Sequence, residues 1–176
     1  MITKERLLDL YTNCYDKIYH DDITDAVEYY LAELLGCAII QSDHDLEMSE
    51  AQWNNLVKVC QTIVTHEQQF NMSAYHKPNM CGTSHCIAGW AVCVELNNFN
   101  ITNYMLVSGI EAKYGYKFDD MFTTNCTIAS AVLSPLVYPF FFLLGGDIKV
   151  TNQIMMNEFI KPVLQIAKEQ NVVTVE

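Results

Sequence analysis

The stretch Cys81-Gly82-Thr83-Ser84-His85-Cys86-Ile87-Ala88-Gly89-Trp90 decides how this chain folds. Thr83 and Ser84 are both good helix N-caps, so either of them predicts the start of a helix. From Ile87 to Val94 every residue is apolar or small, which is typical of a helix that is buried on most of its sides. The sequence therefore predicts a central helix over about residues 84–96.

Helical periodicity continues on both sides of this segment. Before it, apolar residues recur every three or four positions over residues 4–19, about 24–40 and 50–64, with Ser49 as the cap of the third helix. After it, we predict a helix over 104–114 and a second one that starts at about 125–127 and restarts at Ser134-Pro135. A last helix begins at a cap at Thr151 or Asn152, with a kink at Pro162. The tail 172–175 is a candidate short strand. We therefore expect a mainly α chain, a single-domain helical bundle with irregular connections over residues 1–176.

The hydrophobic content, the net charge and the length of the apolar runs exclude several classes of protein. Of the 176 residues, 51% are hydrophobic, so the chain can bury a sizeable core and is not disordered. The net charge is −11, from 21 acidic and 10 basic residues, which disfavours binding to nucleic acid and to anionic membranes but suits a basic protein partner. The longest apolar run, residues 131–146, is shorter than the roughly 20 residues that a membrane-spanning helix needs.

Cysteine usage indicates a reducing compartment. The chain has seven cysteines, an odd number, and no secretory signal precedes them because residues 4–19 already form an amphipathic helix. We therefore expect reduced, buried thiols and a cytoplasmic protein. The cysteines are Cys14, Cys37, Cys60, Cys81, Cys86, Cys93 and Cys126.

One interpretation of the central segment is a cysteine nucleophile, Cys81 or Cys86, in a hydrolase or transferase. A thiol beside the amino end of a helix can have a lowered pKa, because unpaired N–H groups and the helix dipole favour the thiolate. The text Cys-Gly-x-x-x-Cys-Ile-Ala loosely resembles a stretch of bacteriocin-processing peptidases, with the spacing off by one residue. The candidate histidines are His20, His44, His66, His76 and His85. All of them lie at or before position 85, so no histidine after Cys86 completes a catalytic set.

A second interpretation is a zinc site formed by His76, Cys81, His85 and Cys86. The ligand types suit zinc. Consecutive helical residues diverge by roughly 100°, however, so His85 and Cys86 are poorly placed to hold one ion. We therefore predict no metal site and no cofactor.

A third interpretation is a binding pocket at the helix start, since free backbone N–H groups there hold polar or anionic groups. Its residues would be His76, Cys81, Gly82, Thr83, Ser84, His85 and Cys86. The remaining alternative is purely structural, with the cysteines acting as small hydrophobes and Trp90 as a core aromatic.

The pattern Phe70-Asn71-Met72, a spacer, and then Cys81 to Ala91 resembles a group of small bacterial and phage proteins of uncharacterised activity. Their shared stretch is Phe-Asp-Met followed by Cys-Gly-Thr-x-x-Cys-Ile-Ala-Gly-His/Trp-Ala. Looser counterparts extend the resemblance over positions 70–122. This chain departs at Asn71, where the group has Asp, and at Trp90, where His is common. The resemblance implies a helical domain of phage or bacterial origin and carries no established activity.

The favoured hypothesis is a non-enzymatic binding protein, such as a phage accessory factor that engages a host protein or sequesters a small polar or anionic ligand. The alternative is the cysteine-dependent enzyme. A homodimer is compatible with the aromatic run Phe140-Phe141-Phe142.

Overall fold

The computed structural model describes residues 1–37, 39–40, 42–74, 77–79, 82–97 and 121–170. Across these residues the chain is a mainly α helical bundle, as the sequence predicted. The α-helices are α1 (Lys4–Tyr19), α2 (Ile23–Gly36), α3 (Glu50–Thr65), α4 (Ile87–Leu96), α5 (Met121–Leu133), α6 (Ile148–Met155) and α7 (Lys161–Glu169). The helix predicted over 104–114 and the tail 172–175 lie outside the described residues.

Shorter elements connect these helices. Single turns of 3₁₀ helix span Asp43–Leu46 and Glu67–Gln69, and a longer 3₁₀ helix spans Pro135–Phe142. A π-helix, Met156–Ile160, joins α6 to α7 without a break. Strands β1 (Lys77–Asn79) and β2 (Gly82–Ser84) pair as an antiparallel hairpin, with Lys77 opposite Ser84 and Asn79 opposite Gly82.

The amino ends of the first three helices are capped by the residues that favour this role. The Thr3 hydroxyl accepts from the Arg6 N–H, and the Asp22 carboxylate accepts from the Thr24 N–H. Ser49 and Gln52 form a capping box, in which each side chain accepts from the other residue's backbone N–H. The predicted cap at Ser49 is therefore confirmed.

Helix α4 is the centre of the core. It packs against α3 and α5, and every residue from Ile87 to Val94 is buried, as its all-apolar sequence predicted. The buried side chains form one continuous hydrophobic cluster, in which the Phe140 and Phe159 rings stack 4.0 Å apart. Each such buried side chain contributes about 1.5–3 kcal/mol of transfer free energy. Phe140 and Phe141, from the aromatic run 140–142, are both buried in this core.

The central helix begins later than the sequence predicted. Residues 82–84, expected to start it near 84, form strand β2, and α4 begins at Ile87 with Cys86 as its N-cap residue in an extended conformation. The reason is tertiary: β2 pairs with β1, so its backbone is committed to a hairpin instead of a helical turn. The capping propensity of Thr83 and Ser84 is a local preference that this pairing overrides.

The C-terminal half departs from the prediction in three further places. Helix α5 begins at Met121, earlier than the predicted start at about 125–127. The cap of α6 is Asp147, whose carboxylate accepts from the Lys149 N–H, so α6 begins earlier than a cap at Thr151 or Asn152 would allow. Pro162 lies in the first turn of α7, two residues after the π-helix, and the kink expected there stays a prediction. Ser134 does cap the helix that Pro135 opens, by accepting from the Leu136 N–H at 3.2 Å, but this helix is 3₁₀.

Across the part of the chain that the structure describes, we find no helix that combines the length and the apolar character needed to cross a membrane.

Candidate functional site

The central segment is fastened to residues 69–74 by backbone hydrogen bonds. The His85 N–H donates to the Gln69 carbonyl at 2.9 Å, and the His85 carbonyl accepts from the Asn71 N–H at 3.0 Å. The Cys86 N–H donates to the Ala74 carbonyl at 2.7 Å. Phe70 and His85 thereby form a parallel bridge. Residues 70–72 and the start of the 82–91 part of the sequence pattern are therefore neighbours in space.

His85 lies in the core and not at the surface. Its side chain is 1% exposed, and its ring lies 4.8 Å from the ring of Trp90. The Cys93 sulfur lies 3.7 Å from His85 Nδ1, within reach of a weak S–H hydrogen bond. The exposed His66 ring approaches Trp90 as well, at 5.6 Å. This burial does not support the prediction that His85 lines an open ligand site.

Two buried thiols belong to the central segment, Cys86 at the N-cap of α4 and Cys93 within the helix. Burial raises the pKa of Cys86, and this effect outweighs the backbone N–H groups of Gly89 and Ala88, which lower it. Burial, together with the neighbouring Cys86, raises the pKa of Cys93 to about 12. This burial does not support the interpretation of Cys86 as an accessible thiolate, because desolvation disfavours a buried anion. All six described cysteines are buried and free of disulfides.

The remaining predicted site residues are placed only in part. His76, Cys81 and the side chain of His44 lie outside the described residues, and for Gly82, Thr83 and Ser84 the structure describes the backbone of β2. Within the described part of the chain, no group of three or more His, Cys, Asp or Glu side chains is arranged to hold a metal ion.

A polar cleft of about 370 Å³ lies beside this segment, and sequence reasoning missed it. One wall is the face of the continuous helix from α6 through the π-helix into α7, and the facing wall carries Glu67 and Phe70. Phe70 and Met156 are buried and form an apolar base, while the other lining residues are polar. We call this feature the polar cleft. Its helical wall consists of Lys149, Asn152, Gln153, Met156, Asn157 and Lys161.

The helical wall contains the π-helix Met156–Ile160. Pro162 has no N–H, and its ring would clash with the carbonyl of residue 158 in a regular α-helix. The widened turn relieves this, and the Lys161 N–H donates to the Met156 carbonyl, five residues earlier. The Lys161 ammonium donates to Asn157 Oδ1 at 2.8 Å, which holds these two lining side chains together.

Asn152 connects the polar cleft to the central segment. Its Oδ1 accepts from the Met72 N–H at 2.9 Å, and its Nδ2 donates to the Phe70 carbonyl at 3.3 Å. The residue between them, Asn71, is bonded to His85. One amide side chain thus lines the cleft and also fixes the loop to which β2 and the start of α4 are fastened.

The charge of the polar cleft is opposite to that of the chain. Lys149 and Lys161 face a single carboxylate, Glu67, so the lining has a net charge of +1 on a protein of net charge −11. The sequence carried a partial signal for it, since Asn157 and Lys161 are four residues apart in the last predicted helix. Lys149 lies before the cap predicted for that helix.

Comparison of this chain with protein-family models, with curated proteins and with solved structures gives no match.

Proposed function

We propose that this chain is a non-enzymatic binding protein that holds a small anionic ligand in the polar cleft. The observation that carries the proposal is the pair of lysines, Lys149 and Lys161, on one wall of a 370 Å³ cleft in a strongly acidic protein. A cleft of this volume is at the lower end of the range for small-molecule sites. Ammonium groups bind carboxylates and phosphates through charge-assisted hydrogen bonds.

The other lining residues suit a ligand with both polar and apolar parts. The amides of Gln153 and Asn157 can donate and accept hydrogen bonds, which gives orientation to a polar ligand. Phe70 and Met156 offer a small apolar base. Glu67 on the facing wall would favour a ligand that also carries a hydrogen-bond donor or a cationic group.

The burial of the thiols argues against the alternative of a cysteine enzyme. A nucleophilic cysteine has to be accessible and partly ionised, whereas Cys86 and Cys93 are buried with raised pKa values. This alternative now rests on Cys81 alone. In the proposed function the central segment is scaffolding, which holds the 70–72 loop against the cleft.

The biological setting in the proposal rests on the motif resemblance and on composition. A phage accessory factor acting in the cytoplasm of its host, with a host protein or a small anion as its target, is consistent with the acidic, cysteine-containing chain. The ligand could then be a metabolite that the protein sequesters.

Isothermal titration with inorganic phosphate, succinate and a hexose phosphate tests the proposal, with the uncharged hexose as a control ligand. At least one anion should bind. The double variant Lys149→Gln/Lys161→Gln should weaken that binding by about tenfold or more, because a hydrogen bond to a charged group contributes about 1.5–3 kcal/mol. Lys58→Gln, an exposed lysine outside the cleft, should not. No binding by any anion, or equal binding by all three proteins, would rule the cleft out.

A further inference from the structure

The outward face of α2 carries an unusual share of the exposed apolar surface. Among the described residues, eight large hydrophobic side chains are exposed, and four of them lie on α2: Ile23, Tyr29, Leu31 and Leu35. Tyr29, Leu31 and Leu35 are 54%, 39% and 81% exposed. Leu31 and Leu35 are four residues apart, so they lie one turn apart on the same side of the helix. We call the side of α2 that carries Leu31 and Leu35 the α2 face.

The exposure of the α2 face is not a sign of a loosely attached helix. Its opposite side, with Ala26, Tyr30 and Leu34, is fully inserted in the core. The Tyr30 hydroxyl donates to the Leu136 carbonyl at 2.9 Å in a buried hydrogen bond. Helix α2 is therefore held in place by its inner side, and the two outer leucines are additional to what the fold needs.

The α2 face is also strongly acidic. Asp21, Asp22, Asp25 and Glu28 are all exposed, and residues 21–36 contain no lysine or arginine. The first fifty residues hold 12 acidic and 3 basic residues, a charge of −9 out of the total of −11. Glu28 lies beside Leu31 and Leu35 around the helix axis, and Asp25 lies one turn before Glu28 on the outer half of the helix. Carboxylates therefore lie next to the two leucines.

From this combination we propose that the α2 face is a docking surface for a basic amphipathic helix of another protein. Leu31 and Leu35 would contact the apolar stripe of the partner helix, and the carboxylates would pair with lysines or arginines beside that stripe. Two copies of this face would repel each other, since each is anionic, so a second copy of the chain does not fit it. This site is separate from the polar cleft and does not depend on the function proposed for it.

The test uses a synthetic amphipathic helix of leucine and lysine, and a control peptide with glutamate in place of lysine. Binding is measured by fluorescence anisotropy at two salt concentrations. The lysine peptide should bind more weakly at the higher salt, and the glutamate peptide should not bind. Leu31→Ser/Leu35→Ser should weaken binding by about tenfold or more, because apolar anchors at the centre of an interface dominate its energy. Asp25→Asn/Glu28→Gln should weaken it as well.

Two control variants separate this surface from the general acidity of the protein. Val64→Ser/Leu144→Ser removes two exposed apolar side chains elsewhere, and Asp43→Asn/Glu47→Gln removes two exposed charges elsewhere. Circular dichroism checks that every variant is folded. Equal loss in the control variants, or full binding by Leu31→Ser/Leu35→Ser, would overturn the proposal. A wild-type dimer in sedimentation that dissociates in Leu31→Ser/Leu35→Ser would also overturn it, by making the face a self-interface.

Discussion

The Oδ1 atom of Asn152 accepts a hydrogen bond from the Met72 backbone N–H at 2.9 Å. This contact joins helix α6 to a loop 80 residues earlier in the chain, and the Nδ2 atom of the same side chain completes a clamp on the Phe70 carbonyl. The clamped loop in turn bonds to His85 and Cys86. The wall of the polar cleft and the start of the central helix are therefore parts of one hydrogen-bonded unit.

Replacing Asn152 by alanine should loosen this unit. Two backbone groups of the 70–72 loop would lose their partner, which costs about 1–3 kcal/mol in the free energy of unfolding. Urea denaturation should show this loss, and hydrogen exchange should speed up at the His85 and Cys86 amides. Asn157→Ala is the matched control, because Asn157 is exposed and bonds to the Lys161 side chain. Equal stability of the two variants would mean that the clamp does not hold the loop.

Thiol labelling should report slow reaction throughout the described core. Burial raises the pKa of Cys86, Cys93 and Cys126, so the thiolate that reacts with iodoacetamide is scarce at neutral pH. Mass spectrometry of the folded protein should find these three cysteines much less labelled than in urea. Rapid labelling of Cys86 in the folded protein would restore the cysteine enzyme as the better hypothesis.

Stability should fall at alkaline pH. Burial raises the pKa of Cys93 and Cys126 from 9.0 to about 12 in the folded state. Below pH 9 both states hold these protons, so the contribution is fully present. Between pH 9 and 12 the unfolded chain releases protons that the folded chain keeps, so the free energy of unfolding falls, by about 1 kcal/mol per pH unit for each thiol. Urea titrations at pH 8, 9 and 10 measure this slope, and Cys93→Ala/Cys126→Ala should make it shallower.

The two glycines before α6 should respond differently to alanine. A Cβ on Gly145 would lie 2.8 Å from Thr151 Oγ1 and 2.9 Å from Ile18 Cγ2, whereas a Cβ on Gly146 meets nothing within 4 Å. Gly145→Ala should therefore cost about 1–3 kcal/mol through overpacking, and Gly146→Ala should change stability by less than about 1 kcal/mol. Thermal unfolding of both variants measures the difference. A similar Tm for the two would show that the Gly145 site can relax.

Local sequence signals predicted the parts of the fold that depend on local chemistry. The cap at Ser49, the restart at Ser134-Pro135 and the burial of Ile87–Val94 follow from side chains and their immediate neighbours, and the structure has all three. The hairpin could not be predicted in this way, because β2 exists through its pairing with β1. Because of this pairing, α4 begins at Ile87 and not near residue 84. Cys86, the predicted thiolate, is buried at the N-cap of this helix.

The inner and outer sides of α2 show a second limit of the sequence pattern. Tyr30, Leu31, Leu34 and Leu35 all fit an apolar helical stripe, yet only Tyr30 and Leu34 are buried. Periodicity shows which side of a helix is apolar, but it does not show how much of that side the neighbouring helices bury. The polar cleft was missed for a related reason, since its Glu67 wall and its lysine wall are more than eighty residues apart in sequence.

The most direct test of the polar cleft is an NMR titration of the side-chain amides of Asn152, Gln153 and Asn157 with the anion that binds best. We predict that these three NH₂ signals shift together and saturate with one dissociation constant. The shifts should disappear in Lys149→Gln/Lys161→Gln and persist in Lys58→Gln. Saturable shifts confined to signals away from these residues, with the three amides unmoved, would contradict it.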